Sequence, residues 1–418
     1  MELATTKEVR PLARKPKRDL TMEEQLARGP VDLPFLMILM LLVGIGLIMM
    51  FSASYASAYY DSSASVQNNP LYYIQRQGLF AAAGIVCMYI ISKINYQILR
   101  PLSIPLLMVA IFLLVLVLTP LGVEINGAQR WLYTFLLRGP TFQPSEIAKV
   151  AVIIFFAARL SKRDTEKKKR FTRRTSLGRF LNWLEKIGFL ELVPYGVVLA
   201  VVLGLVLLEP HMSGTILIMV GAAAVLFVSG IDLKWFIGLG SLAAAGLTAI
   251  IFATDYMTAR INLWMNPWSD PRGDGYQTIQ SLYAIASGGL LGRGLGNSMQ
   301  KFLYIPEPEN DFVFPIVVEE LGLVGGLLVL LLFALLILRG YWLALHARDK
   351  FGMLTIVGII TLLAVQVFLN IGVVTNLIPN TGISLPFFSY GGTALMIQLA
   401  EMGVVLGISR QIPAPKKD

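Results

Sequence analysis

The sequence predicts an all-α polytopic membrane protein with ten transmembrane helices, both termini cytoplasmic, and a large extracytoplasmic loop between helices 7 and 8. Three observations predict this. Of 418 residues, 56% are hydrophobic and 15% charged, with a mean hydropathy of +0.67, the balance of a chain whose solvent is mostly lipid. Apolar runs of roughly 17 to 25 residues cross a bilayer, and ten occur, near 33–55, 74–92, 101–119, 143–160, 192–208, 212–229, 233–254, 312–338, 353–374 and 387–408. Finally, Lys and Arg alternate between the segments joining these runs. One set of segments, both ends of the chain included, holds 27, and the other holds six: Arg130, Arg138, Arg260, Arg272, Arg293 and Lys301. Basic residues stay on the cytoplasmic side, so an even number of spans is required, and an eleven-span reading would break the pattern.

In chain order, residues 1–32 are polar and basic and read as a disordered cytoplasmic tail, neither signal peptide nor folded domain. The ten-helix domain runs over 33–408. Within it, 161–190 is a basic cytoplasmic loop that reads as a topology anchor, with Phe180, Leu181, Trp183 and Leu184 able to lie at the head groups. Residues 255–311 form the one large outer loop. Its aromatics suit a membrane interface, and its ASGGLLGRGLGN segment either packs re-entrant backbone closely or contacts phosphate, with Arg293 and Lys301 as accompanying candidate substrate-binding cations. Residues 409–418 are a cytoplasmic C-terminal tail. The net charge of +9 follows from topology, so no nucleic-acid partner is expected. A single cysteine, Cys87, rules out an internal disulfide. With only His211 and His346 beside it, a zinc site has no basis. No P-loop, HExxH or Ser-His-Asp set is present.

Charge stands where lipid should forbid it in three places. FQPSEIAK (Phe142 to Lys149) opens the fourth span with Glu146 and Lys149 on one helix face, either as a structural pair or as the seat of an anionic ligand. NGAQRWL, just before it, offers Arg130 beside Trp131 to grip a lipid head group. PEPENDFVFPIVVEELG (Pro306 to Gly322) runs three acids into a long apolar helix. Glu307 and Glu309 read as solvated loop residues. Asp311, at the membrane junction, has the best claim to be a general base, because acids crowded at a low-dielectric boundary raise one another's proton affinity. The last outer loop, NLIPNTGISLPFFSYGGTAL, either offers free backbone N–H groups to an anion or is a re-entrant turn.

These stretches, with FSASYASA, NPWSDPRGDGYQTIQS and GLGNSMQKFLYI, occur in an order by which residues 33–408 closely resemble the SEDS family of bacterial cell-wall proteins (FtsW, RodA and SpoVE). The basic tail and PFFSYGG lean toward the division and sporulation types. The resemblance implies a peptidoglycan glycosyltransferase in the bacterial cytoplasmic (inner) membrane, facing outward, that polymerises lipid II during division, sporulation or elongation. A class B penicillin-binding protein is the implied partner. The family's catalytic aspartate falls on Asp311, and the glutamate and lysine of its central cavity fall on Glu146 and Lys149. Lys149, Arg130 or a divalent Mg or Mn ion held through substrate phosphates would stabilise the leaving pyrophosphate. The family's usual acid is replaced by His211. A lipid II flippase is one alternative, since intramembrane charges also mark translocation paths. A non-catalytic scaffold for the penicillin-binding protein is the other.

Overall fold

The computed structural model describes residues 29–63, 66–125, 128–134, 139–163, 182, 188–209, 211–238, 240–241 and 261–412. The tail (1–28), most of the basic loop, Arg138, Arg260 and all but the start of the expected seventh span lie outside these residues. The helices are α1 (Leu33–Tyr60), α2 (Tyr72–Lys93), α3 (Leu99–Val117), α4 (Pro144–Leu160), α5 (Phe189–Leu208), α6 (Met212–Val228), α7 (Tyr276–Ser287), α8 (Val313–Leu345), α9 (Lys350–Val374) and α10 (Gly392–Ser409). Seven of the described helical segments are long and apolar enough to cross a membrane: α1, α2, α3 with the turn before it, α5, α8, α9 and α10. Helix α6, with 17 residues, is shorter; α4, also 17 residues, carries Glu146, Lys149 and Arg159. The chain is a polytopic membrane protein.

Local chemistry sets the helix ends. Asp32 caps α1 by accepting from the Phe35 N–H at 3.0 Å, with Pro34 at the first turn, where its missing N–H costs nothing. Asp349 caps α9 in the same way through Gly352, and also accepts from Tyr96, Gln97 and Arg100. These contacts, with the Asp32–Arg339 ion pair, tie one end of the bundle together. Between helices the seams are made by small residues, since lipid offers no hydrophobic drive for helix association. Gly403 of α10 and Gly84 of α2 let those two helices meet so closely that a Cβ at either would fall within 3 Å of its neighbour.

The all-α expectation needs one correction. Residues 122–142, read as an outer loop, form a three-stranded antiparallel sheet: β1 (Gly122–Ile125), β2 (Ala128–Thr134) and β3 (Gly139–Phe142), in the order β1-β2-β3. Val123 pairs with Trp131, and Leu132 with Phe142. The sheet lies against α3, α4 and α10 and carries Arg130. The large outer loop also contains the helix α7, packed on α8.

Helix α8 is broken at Gly322, whose φ of 74° and ψ of −179° belong to a region that only glycine occupies readily. The break frees backbone groups that lipid cannot solvate. The preceding loop satisfies them: Arg293 N–H donates to Glu319 O, Gly294 N–H to Glu320 O, and Leu323 and Val324 N–H to Gly289 and Leu290 O. A Cβ on Gly322 would stand 2.3 Å from the Leu290 carbonyl oxygen. Gly322→Ala is therefore expected to cost on the order of 3 kcal/mol, read as a lowered melting temperature in detergent. Gly44→Ala, where a Cβ meets nothing within 4 Å, should leave it unchanged.

Candidate active site

Asp311 lies two residues before α8, as its position between loop and span predicted. Its backbone oxygen accepts from the Asn370 side-chain amide of α9 at 2.8 Å, and the same nitrogen donates to Ile383 O at 2.7 Å. One amide thus fastens the acidic loop to the last outer loop. Burial pushes the Asp311 carboxyl up to about 7, against the pull of its own backbone N–H; Glu307 and Glu309 add to the rise. Glu309, expected in solvent, is only 3% exposed. Its carboxylate accepts from Ser57 of α1 at 3.0 Å and its carbonyl from the Tyr390 N–H at 2.7 Å, and burial raises its proton affinity as well.

The second half of the site stands on α4. The Lys149 ammonium meets the Glu146 carboxylate at 2.8 Å, and both side chains are buried. Glu401 of α10, also buried, acts electrostatically on both, so one lysine stands between acids from two helices. At the mouth, Arg130 Nε donates to the Glu209 carbonyl at 3.2 Å. The Glu209 side chain is fully buried, and neither carboxylate oxygen receives a hydrogen bond; burial pushes it up to about 8, with Arg130 pulling the other way. His211 sits between the two groups, its Nδ1 3.2 Å from Ser145 Oγ and 3.4 Å from Gln143 Nε2. Its ring is held neutral: burial, then the positive charges of Arg130 and Lys149, push it down to about 3.

Two contacts join the halves. Ser213, in the first turn of α6, donates to the Thr381 carbonyl, and the next residue, Gly382, faces Asp311: a Cβ there would lie 3.6 Å from its Oδ2. The N-termini of α4, α6, α8 and α10 therefore share one end of the bundle, with Asp311, Arg130, Glu146 and Lys149 gathered around them. Much of the backbone of the last outer loop is engaged within the protein, although the N–H groups of Asn380, Thr381, Ile383 and Ser384 find no acceptor among the described residues. The N–H groups of Gly382, Leu385, Phe387, Phe388, Ser389, Tyr390 and Gly391 all find acceptors within the protein, which fits the re-entrant turn.

The remaining predicted cations stand elsewhere. Lys301 is buried and its ammonium donates to Glu320 at 2.9 Å, Ser52 Oγ at 3.1 Å and Gly296 O at 2.6 Å, three internal partners that account for its charge without a ligand. Arg293 is part-exposed and 3.7 Å from Glu319. These two residues belong to the clasp that holds the glycine-rich loop on α8, and among the described residues no hydrogen bond or ion pair joins them to the Asp311–Lys149 group.

The family model described as cell cycle protein, FtsW/RodA/SpoVE, matches residues 33–413. The chain is a member of that family. It is 43% identical over 381 residues to stage V sporulation protein E of Bacillus subtilis, spanning 91% of this chain and 97% of that one. It is 37% identical over 385 residues to the probable peptidoglycan glycosyltransferase FtsW of Geobacter metallireducens, spanning 91% and 95%. Among solved structures, a chain from a peptidoglycan synthase complex superposes with a TM-score of 0.70 at 29% identity, covering 93% of this chain and 99% of the other. The rod shape determining protein RodA of Thermus thermophilus gives 0.61 at 27% identity, covering 92% and 98%.

In this member of the FtsW/RodA/SpoVE family, sequence reasoning missed Glu401 and Glu209. The signal for Glu401 was present: a lone acid in the middle of an apolar span faces a bundle interior or a cavity by default. Glu209 gave no such signal, because its burial comes from the sheet and α6 folding over it. Among the described residues no group of three or more His, Cys, Asp or Glu side chains stands close enough to hold a metal. A carboxyl with a raised proton affinity takes up a proton on folding, so Asp311 contributes stability at low pH that is lost as pH rises from about 4 to about 7. The melting temperature of the wild type should accordingly fall relative to that of Asp311→Asn across that window and run parallel to it above.

Proposed function

We propose that this chain is a peptidoglycan glycosyltransferase that polymerises lipid II and releases undecaprenyl pyrophosphate, with Asp311 as general base. The observation that carries the reading is the convergence of a proton-accepting carboxyl and two cations, Lys149 and Arg130, on one end of the bundle through the Ser213–Thr381–Gly382 link. Membership of a family in which the Geobacter FtsW is named a probable peptidoglycan glycosyltransferase supports it. An acceptor sugar hydroxyl gives its proton to Asp311 as its oxygen attacks the anomeric carbon of a second lipid II. The bond from that carbon to the pyrophosphate oxygen breaks, and Lys149 and Arg130 meet the charge developing on the leaving group. Glu146 and Glu401 hold the lysine in place until the pyrophosphate competes for it. A Mg or Mn ion would arrive on the substrate phosphates, where few protein ligands are needed, and would add charge stabilisation there. The topology in this reading has ten spans, with the seventh completed by residues outside the described set. Both termini are cytoplasmic, and the site faces outward from the inner membrane. The partner is a class B penicillin-binding protein, supported by the structural likeness to a chain of a peptidoglycan synthase complex.

Purified protein with its penicillin-binding partner, given labelled lipid II in detergent, tests this directly. Asp311→Asn should make no polymer above background; polymerisation at the wild-type rate would sink the mechanism. Detergent abolishes compartments, so a flippase would yield no product from either protein. Wild-type turnover should rise with pH and level off above about 7, where Asp311 is ionised. Lys149→Met should lower turnover at least about tenfold, the loss of one charge-stabilising contact, while still accumulating in the membrane. A variant that fails to accumulate would favour the structural role of the pair.

A further inference from the structure

The glycine-rich loop between α7 and α8 combines two features that water does not require together. Every backbone N–H from Gly292 to Lys301, Leu295 excepted, has an acceptor within the protein, while those of Gly289, Leu290 and Leu291, in the turn that follows α7, find none among the described residues. Gly292 donates to Gly288 O, Arg293 and Gly294 to the α8 carbonyls already described, and Asn297 to Gly294 O. Gly296 and Ser298 donate to the Glu320 carboxylate, Met299 and Gln300 to that of Glu319, and Lys301 to Ser298 Oγ. The carbonyls of Gly289 and Leu290 are taken by α8 beyond its break. A loop in water gains little by sequestering its backbone this way, because solvent would serve each group; in hydrocarbon each orphan costs several kcal/mol.

The side chains follow the same division. Ser298 and Lys301 are buried against Glu319 and Glu320 of α8, Arg293 is part-exposed 3.7 Å from Glu319, and the loop's apolar residues face outward: Leu291 is 82% exposed, Leu290 69%, Leu295 58% and Met299 57%. This apolar surface continues without interruption along α8 through the exposed Leu323, Val324, Leu327, Leu328 and Leu331, a flank that an apolar spanning helix presents to lipid. Exposed Trp268 and Tyr304 stand in the neighbouring parts of the same loop, residue types that settle at the level of the head groups.

We propose that residues Gly288–Met299 are a re-entrant lipid-binding element, seated among the acyl chains of the leaflet on the Asp311 side, with Leu290, Leu291 and Leu295 in contact with lipid. The element is part of the membrane anchor of α8, and the chain between it and Asp311 starts from within the leaflet. A lipid substrate moving laterally in that leaflet reaches Asp311 past this loop without crossing bulk water.

Site-directed fluorescence on the full-length protein in vesicles tests the assignment. With Cys87→Ser as background, a bimane probe is placed at Leu291→Cys and, separately, at Leu295→Cys, with Leu328→Cys as the lipid-facing reference and Arg272→Cys, exposed in the same outer loop, as the aqueous one. At both loop positions, lipids brominated on the acyl chain should quench as strongly as at Leu328→Cys, and iodide several-fold more weakly than at Arg272→Cys. Iodide quenching equal to that at Arg272→Cys would overturn the proposal and make the loop extramembranous. Protection from both quenchers would overturn it too, showing the surface covered by protein. Neither outcome bears on whether the protein polymerises lipid II.

Discussion

The side-chain amide of Asn370 is the contact on which the geometry of the site depends. Its nitrogen donates to the carbonyls of Asp311 and Ile383 together, so a single group near the end of α9 sets the distance between the acidic loop and the last outer loop. Both acceptors belong to irregular backbone at a bundle end, where an unpaired carbonyl out of reach of water is costly. Around this fixed point other ties accumulate: Glu309 O to Tyr390, Gln77 of α2 to Ser389 O and the Gly391 N–H, and Ser213 of α6 to Thr381. Each joins elements far apart in sequence. Asp311 is therefore positioned by three helices, α2, α6 and α9, although it sits on none of them.

The same demand, that lipid-depth backbone be paired inside the protein, explains the two adjacent acids of α8. Glu319 and Glu320 would be expensive in a spanning helix if they faced hydrocarbon. Here they supply acceptors to the loop that covers the break at Gly322: between them the carboxylates accept from Gly296, Ser298, Met299 and Gln300 N–H, three serine hydroxyls and Lys301. Breaking a buried pair such as Glu320–Lys301 by removing one partner costs about 3 to 5 kcal/mol. Its loss would release the loop and the chain leading to Asp311, so the clasp and the site form one mechanical unit.

Much of this was legible in the residues. Hydropathy located the seven described helices that are long and apolar enough to cross a membrane. Glu146 and Lys149 were visible because they interrupt an apolar run, and Asp311 because it is the last acid before one, where charge is costly without a purpose. What remained hidden depended on contacts the sequence does not display. Lys301 and Arg293 looked like outer cations available to a substrate because their partners, Glu320 and Glu319, lie 19 and 26 residues further along the chain in another element. Glu309 looked solvated because nothing local announces Ser57 as its donor. The sheet was missed for a different reason: Ile125 pairs with Ala128, leaving Asn126–Gly127 between them, a two-residue hairpin signal that the surrounding hydropathy obscured.

The arrangement of charge at the mouth follows from helix direction. Helices α4, α6, α8 and α10 all begin there, at Pro144, Met212, Val313 and Gly392, so four positive dipole ends point at the place where Lys149 and Arg130 already stand. Left uncompensated, that concentration of positive potential would be unfavourable in a low dielectric. The Glu146 carboxylate balances part of it through its ion pair with Lys149, and other buried acids stand near: Glu401 by the same lysine, Glu209 beside the arginine, and Asp311 and Glu309 on the facing loop. None of the four helix ends carries a capping side chain, so their first N–H groups do not have the usual local acceptor. A pyrophosphate entering here would meet donors and dipoles already oriented, while Asp311, once ionised, stands at the same end of the bundle to take the proton the reaction releases.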